Sequence, residues 1–460
     1  MIWLILLLAF ILRLVNLNQS LWWDEAINIV YARSSDLWWF VTKYSVGDFH
    51  PPGWFAILWG WGYVFGFSEI SVRLPSVIFG VATVWLIYLL GKELFSRKVG
   101  LLAALFLAIA PLHIYYSQEA RMYVFAAFAV TLSFYFLHHL IVSRKWTGLG
   151  YIVSLVLVLY SDYLAYLVIP TQIFYLIWAK KLNRKIMINY LIAGVTFIPW
   201  LNIFPLQLQT GINKTISLPN WGQIVGGSNI QNLFLIPLKI FFGKVTLLNK
   251  TLYATISALA GVIFGSIFIF AFKKLDQRKM LLISWIVIPV ILSFLISFFV
   301  PVLSYFRMIF ILPAFYLILA RGVESLSKRI ATLALIFTCF VSCASLIGYY
   351  LNPKFQREDW RGAVSFVSQN LDNRTLVVFE NNEIPAPIRY YASDLSNFKP
   401  GLSEDLMTEL ADKNKVFLFE YLADIYDPKR SVEQKLKDLN FVETKTYDFQ
   451  GVGFIKLYAK

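Results

Sequence analysis

Residues 99–116 read VGLLAALFLAIAPLHIYY, a run without Asp, Glu, Lys or Arg. A run of this length and composition is typical of a helix that crosses the roughly 30 Å hydrocarbon core of a bilayer. Comparable, mainly apolar runs occur at residues 1–17, 72–95, 120–141, 148–161, 163–179, 186–206, 252–272, 280–300, 304–320 and 330–350. The sequence therefore predicts a polytopic α-helical membrane protein with about eleven transmembrane helices.

The composition agrees with this interpretation and argues against a nucleic-acid-binding protein. Of the 460 residues, 58% are hydrophobic and 15% are charged, whereas a soluble domain has about 25% charged residues. The net charge of +14 is unevenly distributed: residues 1–350 hold 26 Lys and Arg against 10 Asp and Glu, and residues 351–460 hold 15 against 17. The positive excess thus belongs to the membrane part, where basic loops set orientation.

The positions of the basic loops predict which side of the membrane each segment faces. With a cytoplasmic N-terminus, the inner loops contain Arg97, Lys98, Arg144, Lys145, Lys180, Lys181, Arg184, Lys185, Lys273, Lys274, Arg278, Lys279, Lys328 and Arg329. This one-sided distribution follows the positive-inside rule. We therefore expect a multi-pass protein of the inner (plasma) membrane, with long outer loops at residues 18–71 and 207–251 and an extracytoplasmic tail.

The tail predicts a second, soluble domain at residues 351–460, after the transmembrane domain of residues 1–350. Its charged residues are frequent, and short β-rich runs occur at residues 375–379, 416–421, 441–447 and 453–458. Helical patterns at residues 360–369 and 432–439 alternate with these runs. A small α/β domain is the structure that such a pattern favours.

Two groups of ionisable residues on the predicted outer side are candidates for chemistry. Asp24 and Glu25 follow Trp22 and Trp23 just outside the first helix, where a carboxylate could act as a base on a hydroxyl of a lipid-borne substrate. In the motif SQEARMY, residues 117–123, Glu119 and Arg121 could face a sugar or a phosphate. Each group could instead be a solvated loop or an exposed ion pair.

Three further candidates, His50, Asp162 and Arg307, map to the same outer face. His50 could simply cap the helix that follows it, and Arg307 could extend to the membrane interface. Ionisable groups at membrane depth are nevertheless functional candidates. Their coincidence on one face, with the acidic and arginine residues above, suits chemistry on a phosphate-bearing lipid.

Five ordered motifs carry a resemblance to a known family: RLVNL (13–17), LWWDEA (21–26), HPPGW (50–54), VRLPS (72–76) and YYSQEARMY (115–123). In these motifs the chain resembles the bacterial branch of glycosyltransferase family 39, which belongs to the GT-C class together with protein O-mannosyltransferases and lipid A aminoarabinose transferases. The resemblance is looser at residues 307–313 and resumes at EDWRG, residues 358–362.

The resemblance implies a membrane glycosyltransferase that moves a sugar from a polyprenyl-phosphate donor to an acceptor hydroxyl on the outer face by an inverting displacement. It implies Asp24 as catalytic base with Glu25 as its positioning partner, and Arg121 and Arg73 as candidates for holding the leaving phosphate. The expected substrate-binding residues are His50, Arg73, Glu119, Arg121, Tyr123, Asp162 and Arg307.

Cofactor and partners follow from the same chemistry. No cofactor is required once arginine meets the phosphate charge, although Glu25, His50 and Glu119 could hold a divalent metal ion. The expected partners are the lipid-linked donor, a glycan, lipid or protein acceptor, and membrane lipid, but no nucleic acid. The alternatives are a transporter or flippase of a lipid-linked or sugar substrate, and a structural membrane protein. Sugar transfer by purified protein would exclude them.

Overall fold

The computed structural model describes residues 1–142, 147–218, 226, 229–272 and 275–460. The predicted inner-loop residues Arg144, Lys145, Lys273 and Lys274 lie outside the described residues, as does part of the loop 207–251.

Long apolar helices form the membrane part of the chain. Within the described residues, five helices are long and apolar enough to cross a bilayer: Glu69–Leu94, Tyr123–Ile141, Lys250–Ala271, Gln277–Ile296 and Lys328–Leu351. Many of their apolar side chains face outward, among them Leu259, Phe340 and Ile347. Outward-facing apolar side chains without a protein partner are what a hydrocarbon solvent favours. The chain is a multi-pass membrane protein.

Two further apolar helix pairs are bent at proline. Helices Arg97–Ala108 and Pro111–Ser117 meet at 61°, and Arg184–Asn202 meets Phe204–Ser217 at 56°. Proline lacks the N–H that would continue a helix and clashes with the preceding turn, so Pro111 and Pro205 begin new helices. The first break matters most, because it brings the segment around Tyr115 to the site described below.

Shorter helices complete the helical part: Ile2–Leu14, Thr147–Leu159, Tyr163–Trp178, Ile230–Phe242 and Leu312–Ser325. Every apolar run predicted from the sequence overlaps a helix, but helix Ile230–Phe242, inside the predicted outer loop 207–251, was not expected. Length and composition give five to seven spans among the described residues. The polytopic helical architecture is confirmed, and the count of eleven spans is not.

Segment 18–71, predicted to be an outer loop, is mostly helical. It contains helix Trp23–Ser34, a π-helical turn at Phe40–Tyr44 and helix Gly53–Phe65. Gly53 lies so close to Tyr160 that a Cβ atom would come within 2.3 Å of the Tyr160 carbonyl oxygen, while its own N–H donates to that oxygen at 2.9 Å. Glycine is therefore required for this close approach.

The C-terminal unit is α/β, as the pattern of the tail predicts. Its strands are β1 (Thr375–Phe379), β2 (Phe398–Pro400), β3 (Lys415–Phe419), β4 (Val442–Phe449) and β5 (Gly453–Ala459). They form one five-stranded sheet of order β2-β1-β3-β5-β4, with β1 parallel to β2 and β3, and β5 antiparallel to β3 and β4. The helices are Trp360–Gln369, Ala386–Tyr391, Leu406–Leu410, Ala423–Tyr426 and Ser431–Asp438. The β2 strand, only three residues long, was missed.

The C-terminal unit is docked on segment 18–71. The Tyr391 hydroxyl accepts a hydrogen bond from the Leu21 N–H at 2.8 Å and donates to Glu69 at 3.1 Å. The Tyr390 hydroxyl donates to the Phe67 carbonyl at 2.9 Å. These contacts hold the tail against the helix that carries Asp24.

Candidate functional site

The first turn of helix Trp23–Ser34 carries both acidic residues of the LWWDEA motif. Carboxylates are favourable there because the positive end of the helix dipole lies at the N-terminus. Glu25 also caps the helix, since its Oε2 accepts the Trp22 N–H at 3.4 Å. Successive helical residues point about 100° apart, so Glu25 faces inward and is fully buried, whereas the Asp24 side chain is 36% exposed. Neighbours in sequence therefore have different environments.

Glu25 and Arg73 form a buried ion pair beneath the site. Arg73 Nη2 lies 2.5 Å from Glu25 Oε2, and Arg73 Nε lies 2.9 Å from Oε1. The remaining guanidinium N–H groups donate to the carbonyls of Leu17, Gln19 and Ser20 at 2.6–3.0 Å. An arginine has five N–H donors, and all five are used here. In the structure Arg73 thus fixes the turn at residues 17–20, and its expected contact with a phosphate stays a prediction.

Asp24 belongs to a cluster with Arg121, Asp48 and His50, which we call the Asp24 cluster. Arg121 Nη1 and Nη2 lie 3.0 and 3.4 Å from the two oxygens of Asp48, and Nη2 is 3.8 Å from Asp24 Oδ2. His50 Nδ1 lies 2.5 Å from Asp48 Oδ1. His50 pairs with this carboxylate and does not cap helix Gly53–Phe65, whose N-cap is Pro52.

The two aspartates of the cluster have different acidities. Desolvation raises the pKa of Asp24, and the positive charge of Arg121 only partly opposes this shift. Desolvation would also raise the pKa of Asp48, but Arg121 and His50 outweigh it and bring the pKa to about 2. Asp48 is thus the more acidic carboxylate and pairs with Arg121, while Asp24 is the more basic and the more exposed one.

The backbone around Asp48 has two uncommon conformations. Phe49, between Asp48 and His50, is in the left-handed region with φ 65°, which a residue with a side chain adopts at a cost of about 1–2 kcal/mol. The preceding π-helical turn, Phe40–Tyr44, is a geometry that often marks functional sites. The Gln207 side chain donates to the carbonyls of Ser45 and His50 at 2.6 and 2.9 Å, which ties this loop to helix Phe204–Ser217.

Asp48 was not predicted from the sequence. The available signal is its position two residues before the His-Pro-Pro motif, in Gly47-Asp48-Phe49-His50. Spacing alone does not show that the carboxylate turns back onto Arg121, which lies 73 residues away in sequence.

We expect Asp48→Asn to lower activity through Asp24. Loss of the Asp48 charge lets Arg121 act on Asp24 alone, which lowers the pKa of Asp24 and weakens it as a base. The loss of alignment should reduce the rate by about 10²-fold, and the acid limb of the pH–rate profile should move to lower pH. The exposed loop variant Asp36→Asn should change neither quantity. An unshifted acid limb in Asp48→Asn would contradict the proposed coupling.

Glu119 is buried and binds an arginine from the start of the C-terminal unit. Arg357 Nη1 lies 2.7 Å from Glu119 Oε2, and the Arg357 guanidinium lies 3.8 Å from the Tyr115 ring centroid. Arg357 was also missed, although it directly precedes the EDWRG motif. In this structure Glu119 thus forms an ion pair across the two parts of the chain, and its expected contact with a substrate stays a prediction.

Glu358 brings a further carboxyl group next to Asp24. It accepts hydrogen bonds from the Trp23 N–H at 3.3 Å, from Trp360 Nε1 at 2.6 Å and from the Tyr421 hydroxyl at 3.0 Å. Burial raises its pKa to about 7, and the nearby charge of Asp24 contributes to the shift. The Trp23 and Tyr421 rings stack with centroids 5.4 Å apart. The C-terminal unit therefore forms one wall of the Asp24 site.

The other predicted substrate-binding residues, Tyr123, Arg307 and Asp162, contact neighbouring residues of the protein. The buried Tyr123 ring packs edge-on against Tyr116 and Phe306, 5.2 and 5.6 Å away. Arg307 donates to the carbonyls of Pro301 and Val302. Asp162 caps the helical turn that follows it, accepting the Leu164 N–H at 2.7 Å. In the structure Arg307 and Asp162 therefore form hydrogen bonds with the backbone, and their expected contact with a substrate stays a prediction.

The residues considered for a metal ion are held apart by other partners. Glu25 binds Arg73, Glu119 binds Arg357, and His50 binds Asp48. In the part of the chain that the structure describes, no group of three or more His, Cys, Asp or Glu side chains could hold a metal ion. A metal therefore remains a proposal that this geometry does not favour.

Comparisons with known proteins agree on the architecture. The family model of dolichyl-phosphate-mannose-protein mannosyltransferases matches residues 49–203, and no curated protein sequence matches the chain. The structure of ArnT from Cupriavidus metallidurans bound to undecaprenyl phosphate is similar, with a TM-score of 0.59 and 10% identity over 99% of this chain and 97% of that one.

Two other membrane transferases are similar in structure. For the oligosaccharyltransferase AglB of Archaeoglobus fulgidus, in complex with an inhibitory peptide and a dolichol-phosphate, the TM-score is 0.54 at 12% identity over 99% of this chain and 74% of that one. For the arabinofuranosyltransferase AftD from Mycobacteria, the TM-score is 0.52 at 13% identity over 100% of this chain and 39% of that one. A further structure of the Archaeoglobus enzyme is a complex with Zn and sulfate. At identities this low, the structural similarity establishes a shared fold alone.

Proposed function

The chain has the fold of the GT-C glycosyltransferases, and on that premise we propose that it transfers a sugar from a polyprenyl-phosphate donor to an acceptor hydroxyl. The observation that carries the proposal is the exposure and basicity of the Asp24 carboxylate. Its carboxylate is the partly exposed, more basic member of a cluster whose other acid, Asp48, is paired with Arg121 and His50. A carboxylate in that state is suited to take a proton.

The proposed reaction is a single displacement with inversion at the anomeric carbon. Asp24 accepts the proton of the acceptor hydroxyl as its oxygen forms a bond to the anomeric carbon. The bond between that carbon and the phosphate oxygen breaks, and its electron pair leaves with the polyprenyl phosphate. Arg121 and Asp48 hold Asp24 in position, and Glu25 fixes the turn beneath it through Arg73. The mannosyltransferase-like donor sugar that the family model suggests is part of the proposal.

We further propose that the reaction takes place on the extracytoplasmic side. The basic pair Arg97 and Lys98 begins the bent helix pair that leads to Arg121, and Lys328 and Arg329 begin the helix that leads to Arg357. The site and these basic ends are therefore separated by the length of a span. Because basic ends remain in the cytoplasm, this arrangement supports an outer site.

The experiment that tests the donor uses purified protein in detergent. We expect release of polyprenyl phosphate from a polyprenyl-phosphate sugar in the presence of an acceptor hydroxyl, and no turnover of nucleotide sugars, because these are not ordinarily present outside the cytoplasm. The Asp24→Asn protein, prepared identically, controls for contaminating enzymes. Efficient turnover of a nucleotide sugar would reject the donor, and sugar transport without transfer would favour the transporter alternative.

A further inference from the structure

A basic cluster distinct from the Asp24 cluster lies around Tyr115 and has a different charge balance. Lys244 Nζ lies 5.0 Å from the Tyr115 ring centroid and 5.7 Å from that of Tyr305, and Lys239 Nζ lies 5.9 Å from Tyr305. Arg357 covers Tyr115 at 3.8 Å. Three cations therefore share two tyrosine rings, and we call this group the Tyr115 cluster.

The backbone directs the two lysines to this place. Lys239 belongs to the last turn of helix Ile230–Phe242, and Gly243 follows that helix with φ 59°. A Cβ atom on Gly243 would lie 2.9 Å from Pro111 Cβ. The left-handed turn against Pro111, which glycine adopts without strain, places Lys244 over the ring of Tyr115 just beyond the break in the bent span.

The carboxylates of the protein balance the charges of the Tyr115 cluster only in part. Glu119 pairs with Arg357 at 2.7 Å, but the ion pairs of the described residues include neither Lys239 nor Lys244, although Lys239 is only 9% exposed. Ring faces compensate a cation much less than a carboxylate does, and a desolvated ammonium without a counter-charge is unfavourable. A cluster with two uncompensated positive charges is suited to a dianion.

The Asp24 cluster has the opposite balance, because Arg121 faces two carboxylates there. A phosphate would be repelled by Asp24 and Asp48 and attracted by the lysines.

We propose that Lys239, Lys244 and Arg357 form a binding site for the phosphate group of a lipid-linked substrate, a role first expected for Arg73 and Arg121. The proposal rests on the proposed function for the identity of the lipid. It does not require that a sugar be transferred, because binding of the sugar-free lipid phosphate tests it directly.

The test measures binding of polyprenyl phosphate to the purified full-length protein in detergent. We expect Lys244→Gln and Lys239→Gln each to weaken binding by about 10- to 100-fold, the effect of losing one hydrogen bond between charged groups. Lys250→Gln removes an exposed lysine of the same loop and should bind like the parent, and Lys244→Arg should restore most of the affinity. Thermal unfolding of each variant in the same detergent checks that it is folded.

Two comparison ligands, polyprenol and inorganic phosphate, test which part of the lipid phosphate the site binds. Polyprenol without a phosphate should bind weakly and equally to parent and lysine variants. Inorganic phosphate should compete only at much higher concentration than polyprenyl phosphate, and competition at equal concentration would show a site for free phosphate and overturn the lipid assignment. Unchanged affinity in both folded glutamine variants would overturn the site itself. Loss of sugar transfer in Asp24→Asn with binding retained would separate the phosphate site from the chemistry.

Discussion

Replacing Asp24 by Asn should abolish most sugar transfer while the protein still folds and binds its donor. Asparagine keeps the shape of the side chain but cannot accept the acceptor's proton, and general-base catalysis typically contributes about 10² to 10⁴ in rate. Donor binding should persist because Lys239 and Lys244 are unchanged. The measurements are the transfer rate under single-turnover conditions and the affinity for polyprenyl phosphate.

The pH dependence gives an independent check on Asp24. The base must be deprotonated, so activity should fall as the pH drops through the pKa of Asp24, which lies above the ordinary value for an aspartate. Asp24→Asn should lose this acid limb along with the rate. Asp412→Asn, a change at a side chain that is 79% exposed in the C-terminal unit, is the matched control. Near-parental transfer by folded Asp24→Asn would move the search for the base to Glu358 and Glu119.

Replacing Arg73 by Gln should have the largest effect on stability. It removes the buried partner of Glu25 and the donors to three carbonyls of the turn at residues 17–20. Removing one member of a buried ion pair typically costs about 3–5 kcal/mol. We expect poor accumulation and a clearly lower thermal unfolding midpoint in detergent. Arg73→Lys should be intermediate, since an ammonium cannot replace a five-donor fork.

The matched control for Arg73 is Arg361→Gln. Arg361 also pairs with a glutamate, Glu69 at 3.2 Å, but its side chain is 46% exposed, and exposed pairs contribute about 0–1 kcal/mol. Its midpoint should be nearly parental. If Arg73→Gln instead folded like Arg361→Gln and lost only donor affinity, Arg73 would be a phosphate contact after all.

The sequence predicted the helical membrane architecture well because long apolar runs have few alternatives in a bilayer. It also predicted the α/β tail, where strand and helix patterns alternate over short distances. The three-residue strand β2 was missed because Phe398–Pro400 is too short to show a period. Helix Ile230–Phe242 was missed because it lies in a segment that the basic loops placed outside.

The candidate site was predicted in part. The motifs identified Asp24, His50 and Arg121, which the structure brings into one cluster. They could not identify charge partners, which depend on contacts between distant segments. Arg73 and Arg121 have the same side chain, yet one has all its donors used by Glu25 and backbone, and the other is shared by two aspartates. Lys239 and Lys244 lie in none of the motifs. They stand out only because the ion pairs of the described residues include neither of them.

The hydrogen bond between Trp23 and Glu358 joins residues 335 positions apart, which has a consequence for biogenesis. At a synthesis rate of about 5–20 residues per second, the ribosome needs some tens of seconds to add Glu358 after Trp23. During that interval the helix that carries Asp24 has neither Glu358 nor the Tyr421 ring against it, and Glu119 lacks Arg357. Under the proposed orientation, the nascent protein is therefore inserted but incomplete, and its site is assembled only after the tail has crossed the membrane.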